Sequence, residues 1–158
     1  MKKQTKLIAL CGPAGVGKST HAEKLSADCD GVIYSFASVL KEMLSILVGR
    51  KPIYDDKDAP ISWLPEWNGR RLMQRLGGDW GRELIDNDLW VKSMEHRLAC
   101  SYAPFKIIDD LRYPNEAEMV KRLGGEVWLC KREGVEYSLE HSSETPLPDE
   151  LISGVFEL

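Results

Sequence analysis

The chain has 158 residues, 43% of them hydrophobic and 29% charged, with a formal net charge of −4 at neutral pH. That length fits a single domain, residues 1–158, burying about two thirds of the surface its unfolded chain exposes. The acidic balance argues against a nucleic-acid polymer as partner, since polyanion binding calls for a basic face. The apolar run after Met1-Lys2-Lys3 is too short for a signal-peptide core or a bilayer span, so a cytoplasmic protein without membrane partners is expected. Cys11, Cys29, Cys100 and Cys130 lack C-x-x-C spacing and read as reduced thiols, with neither a zinc site nor a redox pair suggested.

The first predicted element is a buried strand over residues 7–11. Gly12-Pro13-Ala14-Gly15-Val16-Gly17-Lys18-Ser19 then fits G-x-x-x-x-G-K-[ST] without mismatch, and residues 19–27 read as helix. Strand, glycine-rich turn and helix N-terminus together make a phosphate cradle: the glycines let backbone N–H groups point inward, and the positive end of the helix sits under the phosphates. Gly12, Ala14, Gly15, Val16, Gly17, Lys18, Ser19 and Thr20 are therefore candidate nucleotide-binding residues. Lys18 is expected to reach the β- and γ-phosphates of a bound nucleotide, and the Ser19 hydroxyl to ligate Mg²⁺.

Residues 31–36 form a second strand candidate, followed by a helix over 37–48 with Leu40, Met43, Leu44 and Leu47 on one stripe and Gly49 as its stop. Residues 50–69, with Pro52, Pro60 and Pro65, read as a loop or flap. A helix over 70–76 is expected to break at Gly77-Gly78, with Asp79 capping a short helix that carries Trp80, Arg82, Leu84 and Ile85. Asp86-Asn87-Asp88 starts another, running to about Cys100 with Trp90, Met94 and Leu98 on one face.

The third strand, 106–111, is apolar until Asp109-Asp110 and is the Walker-B candidate. Pro114 and Asn115 open a helix closed by Gly124-Gly125. A fourth strand covers 126–130, a polar stretch covers 131–148, and a last short strand falls within 152–158. Strands alternating with helices predict a three-layer α/β fold around a mainly parallel sheet.

A phosphate loop alone does not choose a reaction. The guanine-reading N-K-x-D segment of GTPases is absent, whereas arginines suited to clamping two anionic ligands are present. Four segments carry more information. They are Ser35-Phe36-Ala37-Ser38-Val39-Leu40-Lys41; Arg71-Leu72-Met73-Gln74-Arg75-Leu76-Gly77-Gly78-Asp79-Trp80-Gly81-Arg82 with Asp88-Leu89-Trp90; Asp110-Leu111-Arg112-Tyr113-Pro114-Asn115-Glu116-Ala117; and His141-Ser142-Ser143-Glu144. In this order they resemble the successive motifs of the phage-type deoxynucleoside monophosphate kinases, over roughly residues 6–145. The resemblance implies a P-loop, adenylate-kinase-like fold and transfer of the ATP γ-phosphoryl group to a deoxynucleoside 5′-monophosphate, in the host cytoplasm if the protein is phage-encoded. It also implies an acceptor-binding helical region over about 37–100 and a lid-like segment over about 131–148.

Of the two strand-end acids only one can face the loop, because strand side chains alternate; Asp110, the one within the family motif, is the expected metal acid. Arg82 and Arg112 fall where ligands bind in α/β folds and suit bidentate capture of the acceptor phosphate; the bland alternative is a surface ion pair. Lys41 either faces the same phosphate or is an ordinary exposed helix lysine. Arg132, at the end of the fourth strand, fits a lid arginine acting on the transferring phosphoryl group alongside Lys18 and Arg112. His141 and Glu144 fit lid organisation, and Trp80 and Trp90 fit core packing better than a base pocket.

Two other functions stay open on sequence. A hydroxyl-acceptor kinase, such as one acting on dephospho-coenzyme A, needs a positioned base, and residues 34–41 contain no acid. A catalytically degenerate nucleotide-binding protein is the other, suggested by the sequence stopping at Leu158 where the family usually continues into a helix. Between monomer and homodimer the sequence does not choose.

Overall fold

The apolar run Leu7-Ile8-Ala9-Leu10-Cys11 forms the buried body of β1 (Lys6–Cys11), the middle strand of a five-stranded sheet. The computed structural model describes residues 6–138 and 145–158. The chain divides into two units, one made of Met1–Ser35 with Met94–Leu158 and the other of Phe36–Ser93.

In the first unit, β1 leads through the glycine-rich turn into α1 (Lys18–Cys29) and β2 (Gly31–Tyr34). In the second unit, α2 (Ala37–Val48) and α3 (Lys51–Tyr54) precede a hairpin of β3 (Pro60–Ile61) and β4 (Leu64–Asn68). There α4 (Gly69–Arg75) passes directly into a π-helix (Leu76–Ile85). Helix α5 (Leu89–Ala99) starts in the second unit and ends in the first. The first unit then continues with β5 (Phe105–Ile108), α6 (Pro114–Arg122), β6 (Glu126–Lys131), a 3₁₀ turn at Asp149–Leu151 and β7 (Gly154–Glu157).

All neighbours in the large sheet are parallel, in the order β2-β5-β1-β6-β7. The step from β1 to β2 passes over β5 in one direction, and that from β5 to β6 passes over β1 in the other. Right-handed crossovers therefore put α1 and α6 on opposite faces, which yields the expected three-layer α/β architecture. Alternation along β1 divides the core accordingly. Ile8 and Leu10 join Val16, Ala22, Phe105 and Ile107 in one cluster, while Leu7 points toward Val120 of α6, so that a Cβ on Gly125 would be 2.9 Å from both. Strand order reverses around β1, and the crevice at the carboxyl ends of such strands is where α/β sheets bind ligands.

The second unit has its own core of Leu44, Val48, Ile53 and Ile61, with Leu64, Leu72, Met73 and Leu76 packed against it. Two segments differ from the sequence expectation. Residues 50–69 are a short helix and a hairpin, because Pro52 occupies an early helical position where no N–H is required and Pro60 opens a strand. Gly77-Gly78 does not break its helix; the winding widens to π and continues to Ile85. Among the described residues no helix is long and apolar enough to cross a membrane.

Candidate active site

The turn between β1 and α1 has the conformation its glycines permit, with φ of 134° at Gly12 and 106° at Gly17. Gly12 also meets β6 closely, since a Cβ there would lie 2.5 Å from the Cys130 carbonyl oxygen. Gly17 is the N-cap of α1 and offers no side chain to the first turn, the place where helix N-termini receive phosphate. The Lys18 side chain is 8% exposed, and its ammonium donates to the carbonyls of Gly12 and Pro13, each at 2.8 Å. Val16 is buried, whereas Ala14, Gly15, Ser19 and Thr20 are exposed along the mouth of the loop.

Where β5 ends, Asp109 N donates to Tyr34 O at 3.1 Å and Leu111 N donates to Leu10 O at 3.2 Å, so the chain extends the sheet between its two neighbours. This register turns the two acids apart. Ser19 Oγ donates to Asp109 Oδ2 at 3.0 Å, while Asp110 Oδ2 accepts from Ser35 Oγ at 2.6 Å. The expectation had placed Asp110 beside the loop serine; the carboxylate that meets Ser19 is that of Asp109. Ser19 and Asp109 together offer a hard cation two oxygen donors, and Mg²⁺ commonly takes one or two protein oxygens with phosphate and water completing its shell. The donor set therefore fits the ion.

Arg112 follows on a loop pinned from below. Glu116, 2% exposed, accepts from the Arg112 and Tyr113 amides at 2.8 and 3.0 Å, closing the N-terminus of α6 behind Pro114. Arg112, Leu111 and Gly12 share the lining of one narrow crevice. Arg132 lies against the loop at Gly17, where a Cβ would be 2.9 Å from its Nη2. The first unit thus gathers Lys18, Ser19, Asp109, Arg112 and Arg132 around one turn. Its motifs gave no hint of Arg97, whose Nη1 donates to Ser35 O at 2.9 Å and so ties α5 to the chain segment that holds Asp110.

In the second unit, Lys41 Nζ lies 5.7 Å from the centre of the Tyr54 ring, and Arg82 Nη1 donates to Asn87 O at 3.3 Å. Trp90 is buried and Trp80 is 40% exposed. A cavity of about 390 Å³ is lined by Val48, Arg50, Pro60, Ile61 and Trp63, among others, with neither Lys41 nor Arg82 in its wall. His141 and Glu144 lie outside the described residues. Beneath the loop, burial pushes the Cys11 thiol up to about 12 and the Cys130 thiol up to about 11, with Lys18 pulling both back. At neutral pH both are protonated and serve as packing groups.

A parallel sheet with this strand order, a phosphate loop after its central strand and a serine–aspartate pair at the loop's mouth define the P-loop kinase-like class. Residues 57–152 match the deoxynucleotide monophosphate kinase family. A protein of Acanthamoeba polyphaga mimivirus bearing that name is 30% identical over 162 residues, spanning 89% of this chain and 81% of the relative. The deoxynucleotide monophosphate kinase of Escherichia phage RB69 is 33% identical over 91 residues, which is 53% of this chain and 36% of the phage protein. The solved structure of TT1252 from Thermus thermophilus shares the fold, with a TM-score of 0.50 at 18% identity over 98% of this chain and 89% of that one. The chain belongs to the deoxynucleotide monophosphate kinase family.

Proposed function

We propose that this protein transfers the γ-phosphoryl group of ATP to a deoxynucleoside 5′-monophosphate, forming ADP and the deoxynucleoside diphosphate. The observation that carries the reading is the buried Lys18 ammonium, held on the carbonyls of its own loop one residue from the Ser19–Asp109 pair. A lysine so placed can leave two carbonyls for the more strongly attracting β- and γ-phosphates, and its cost of desolvation is already met by the fold. When bound, Mg²⁺ would be held by Ser19 and Asp109 and would neutralise charge on the phosphates.

An acceptor phosphate oxygen attacks the γ-phosphorus while the bond to the β,γ-bridging oxygen breaks, and ADP leaves with that electron pair. The acceptor is already an anion at neutral pH, so the protein needs no general base and the work is positioning and charge stabilisation. Arg132, against Gly17, is suited to the transferring group. Arg112 is suited to the acceptor phosphate, and Lys41 and Arg82 are further candidates for contacts to the acceptor. The viral and phage relatives favour a place of action in the cytoplasm of a host.

The test is steady-state turnover of ATP with dGMP, dTMP, dCMP and dAMP, compared with the four deoxynucleosides and dephospho-coenzyme A. Leaving arginines without their phosphate forfeits roughly 1.5–3 kcal/mol per charge-assisted contact, so monophosphates are expected to win by at least about a hundredfold in kcat/KM. Comparable turnover of a nucleoside or of dephospho-coenzyme A would overturn the reading.

A further inference from the structure

A π-helix of ten residues, Leu76–Ile85, is a long run of a winding that proteins mostly use as single turns at functional sites. Its own sequence, with glycine at 77, 78 and 81, supplies little propensity for any helix. A side chain from the next helix packs into it. The Trp90 indole is 6% exposed and its Nε1 donates to the Gly77 carbonyl at 2.8 Å. Gly81 makes the seat, since a Cβ at that position would fall 2.5 Å from the indole Cζ2. At the far end Asp86 N donates to Gly81 O at 3.0 Å, an i→i+5 closure that carries the wide register to the last residue. In that register the backbone partner of the Gly77 carbonyl is the N–H of Arg82. The indole therefore grips the carbonyl to which the Arg82 backbone is tied.

We propose that Trp90, seated on Gly81, is a positioning residue for acceptor binding: it fixes the π winding of Leu76–Ile85 and through it the direction in which Arg82 is presented to the acceptor phosphate. This rests on the assignment of Arg82 to the acceptor. Were the segment to tighten to i→i+4 pairing, each amide would move to the next carbonyl and Arg82 would turn to a different side of the helix. The indole N–H matters as well as the ring, because it stabilises a carbonyl that the tighter register would use differently.

The experiment measures KM for the deoxynucleoside monophosphate and for ATP in Trp90→Phe, Arg82→Lys and the double variant. Trp90→Phe keeps most of the buried ring and removes the donor. It is expected to raise the monophosphate KM about fivefold, the worth of one hydrogen bond, with kcat and the ATP KM within twofold of wild type. In the Arg82→Lys background the same change should add nothing, because the group it positions is gone. Gly81→Ala, which crowds the indole from its seat, should raise the same KM. An unchanged monophosphate KM in Trp90→Phe, or effects of the two substitutions that multiply in the double variant, would overturn the proposal while leaving the Arg82 assignment standing. A silent Arg82→Lys would overturn both.

Discussion

Among the described residues the Lys18 ammonium donates to the Gly12 and Pro13 carbonyls of its own loop, and no strand-to-strand pairing of the sheet runs through it. Lys18→Ala is expected to lower kcat by about a hundredfold to a thousandfold, the usual loss of one transition-state donor, with an unchanged circular dichroism spectrum. Its place in the loop was legible in the sequence because the eight-residue pattern specifies the backbone that the glycines permit. The choice between Asp109 and Asp110 was not, for a physical reason: it depends on the phase in which β5 leaves the sheet, set by the Asp109–Tyr34 and Leu111–Leu10 backbone bonds. No local propensity encodes that phase. The geometry makes the test direct. Asp109→Asn should raise the Mg²⁺ concentration needed for half-maximal activity several-fold, and Asp110→Asn should leave it within twofold, both read from Mg²⁺ titrations at saturating ATP. The reverse ranking would assign the metal role to Asp110.

At the scale of elements, the motif around Asp110-Leu111-Arg112-Tyr113-Pro114-Asn115-Glu116 divides into a cap and a payload. Pro114 opens α6, and the Glu116 carboxylate takes the two amides of Arg112 and Tyr113, so the loop that presents the arginine is held by a buried acid. Glu116→Ala leaves two amides without an acceptor and should cost about 1–3 kcal/mol in urea unfolding, while Glu116→Gln, which keeps an acceptor oxygen, should cost about 1 kcal/mol. If Arg112 grips the acceptor, Glu116→Ala should also raise the monophosphate KM more than the ATP KM. Parallel shifts in the two constants would make Glu116 a stability residue alone. The helix start was readable from Pro114 and its spacing to Glu116. The π-helix was not, since Gly77-Gly78 reads locally as a stop, and what carries the winding onward is Trp90, thirteen residues later in the chain than the carbonyl it holds. In the same way, Pro52 and Pro60 punctuate ordered elements in a segment that reads as loop.

Across the whole molecule, the alternation of apolar runs and amphipathic stretches was enough to read a parallel α/β sheet, because a buried strand and a crossover helix have different periods. Which strands neighbour one another came only with the structure, and that order puts Cys11 of β1 and Cys130 of β6 on adjacent strands under the phosphate loop. Both are buried free thiols. Burial is the main reason that they stay protonated in the fold, lifting Cys11 from an ordinary 9.0 to about 12 and Cys130 from 9.0 to about 11. The sign follows from proton counting. Below pH 9 both thiols are protonated in folded and unfolded chains alike, and their contribution is intact; as pH rises past 9 the unfolded chain releases protons that the folded one keeps, so stability falls until the folded thiols ionise near 11–12. At about pH 10.5 the loss should be on the order of 2 kcal/mol per thiol, less where the two interact. Tyrosines and lysines titrate in the same range, so the quantity to measure is the difference between wild type and Cys11→Ala/Cys130→Ala, by urea unfolding under reducing conditions at pH 7.5 and 10.5. The double variant is expected to be less stable at pH 7.5, having lost two packed side chains, and to lose less of its remaining stability on going to pH 10.5. Equal alkaline losses in the two proteins would mean that the thiols ionise as readily in the fold as in the unfolded chain, and that the sheet beneath the loop admits water.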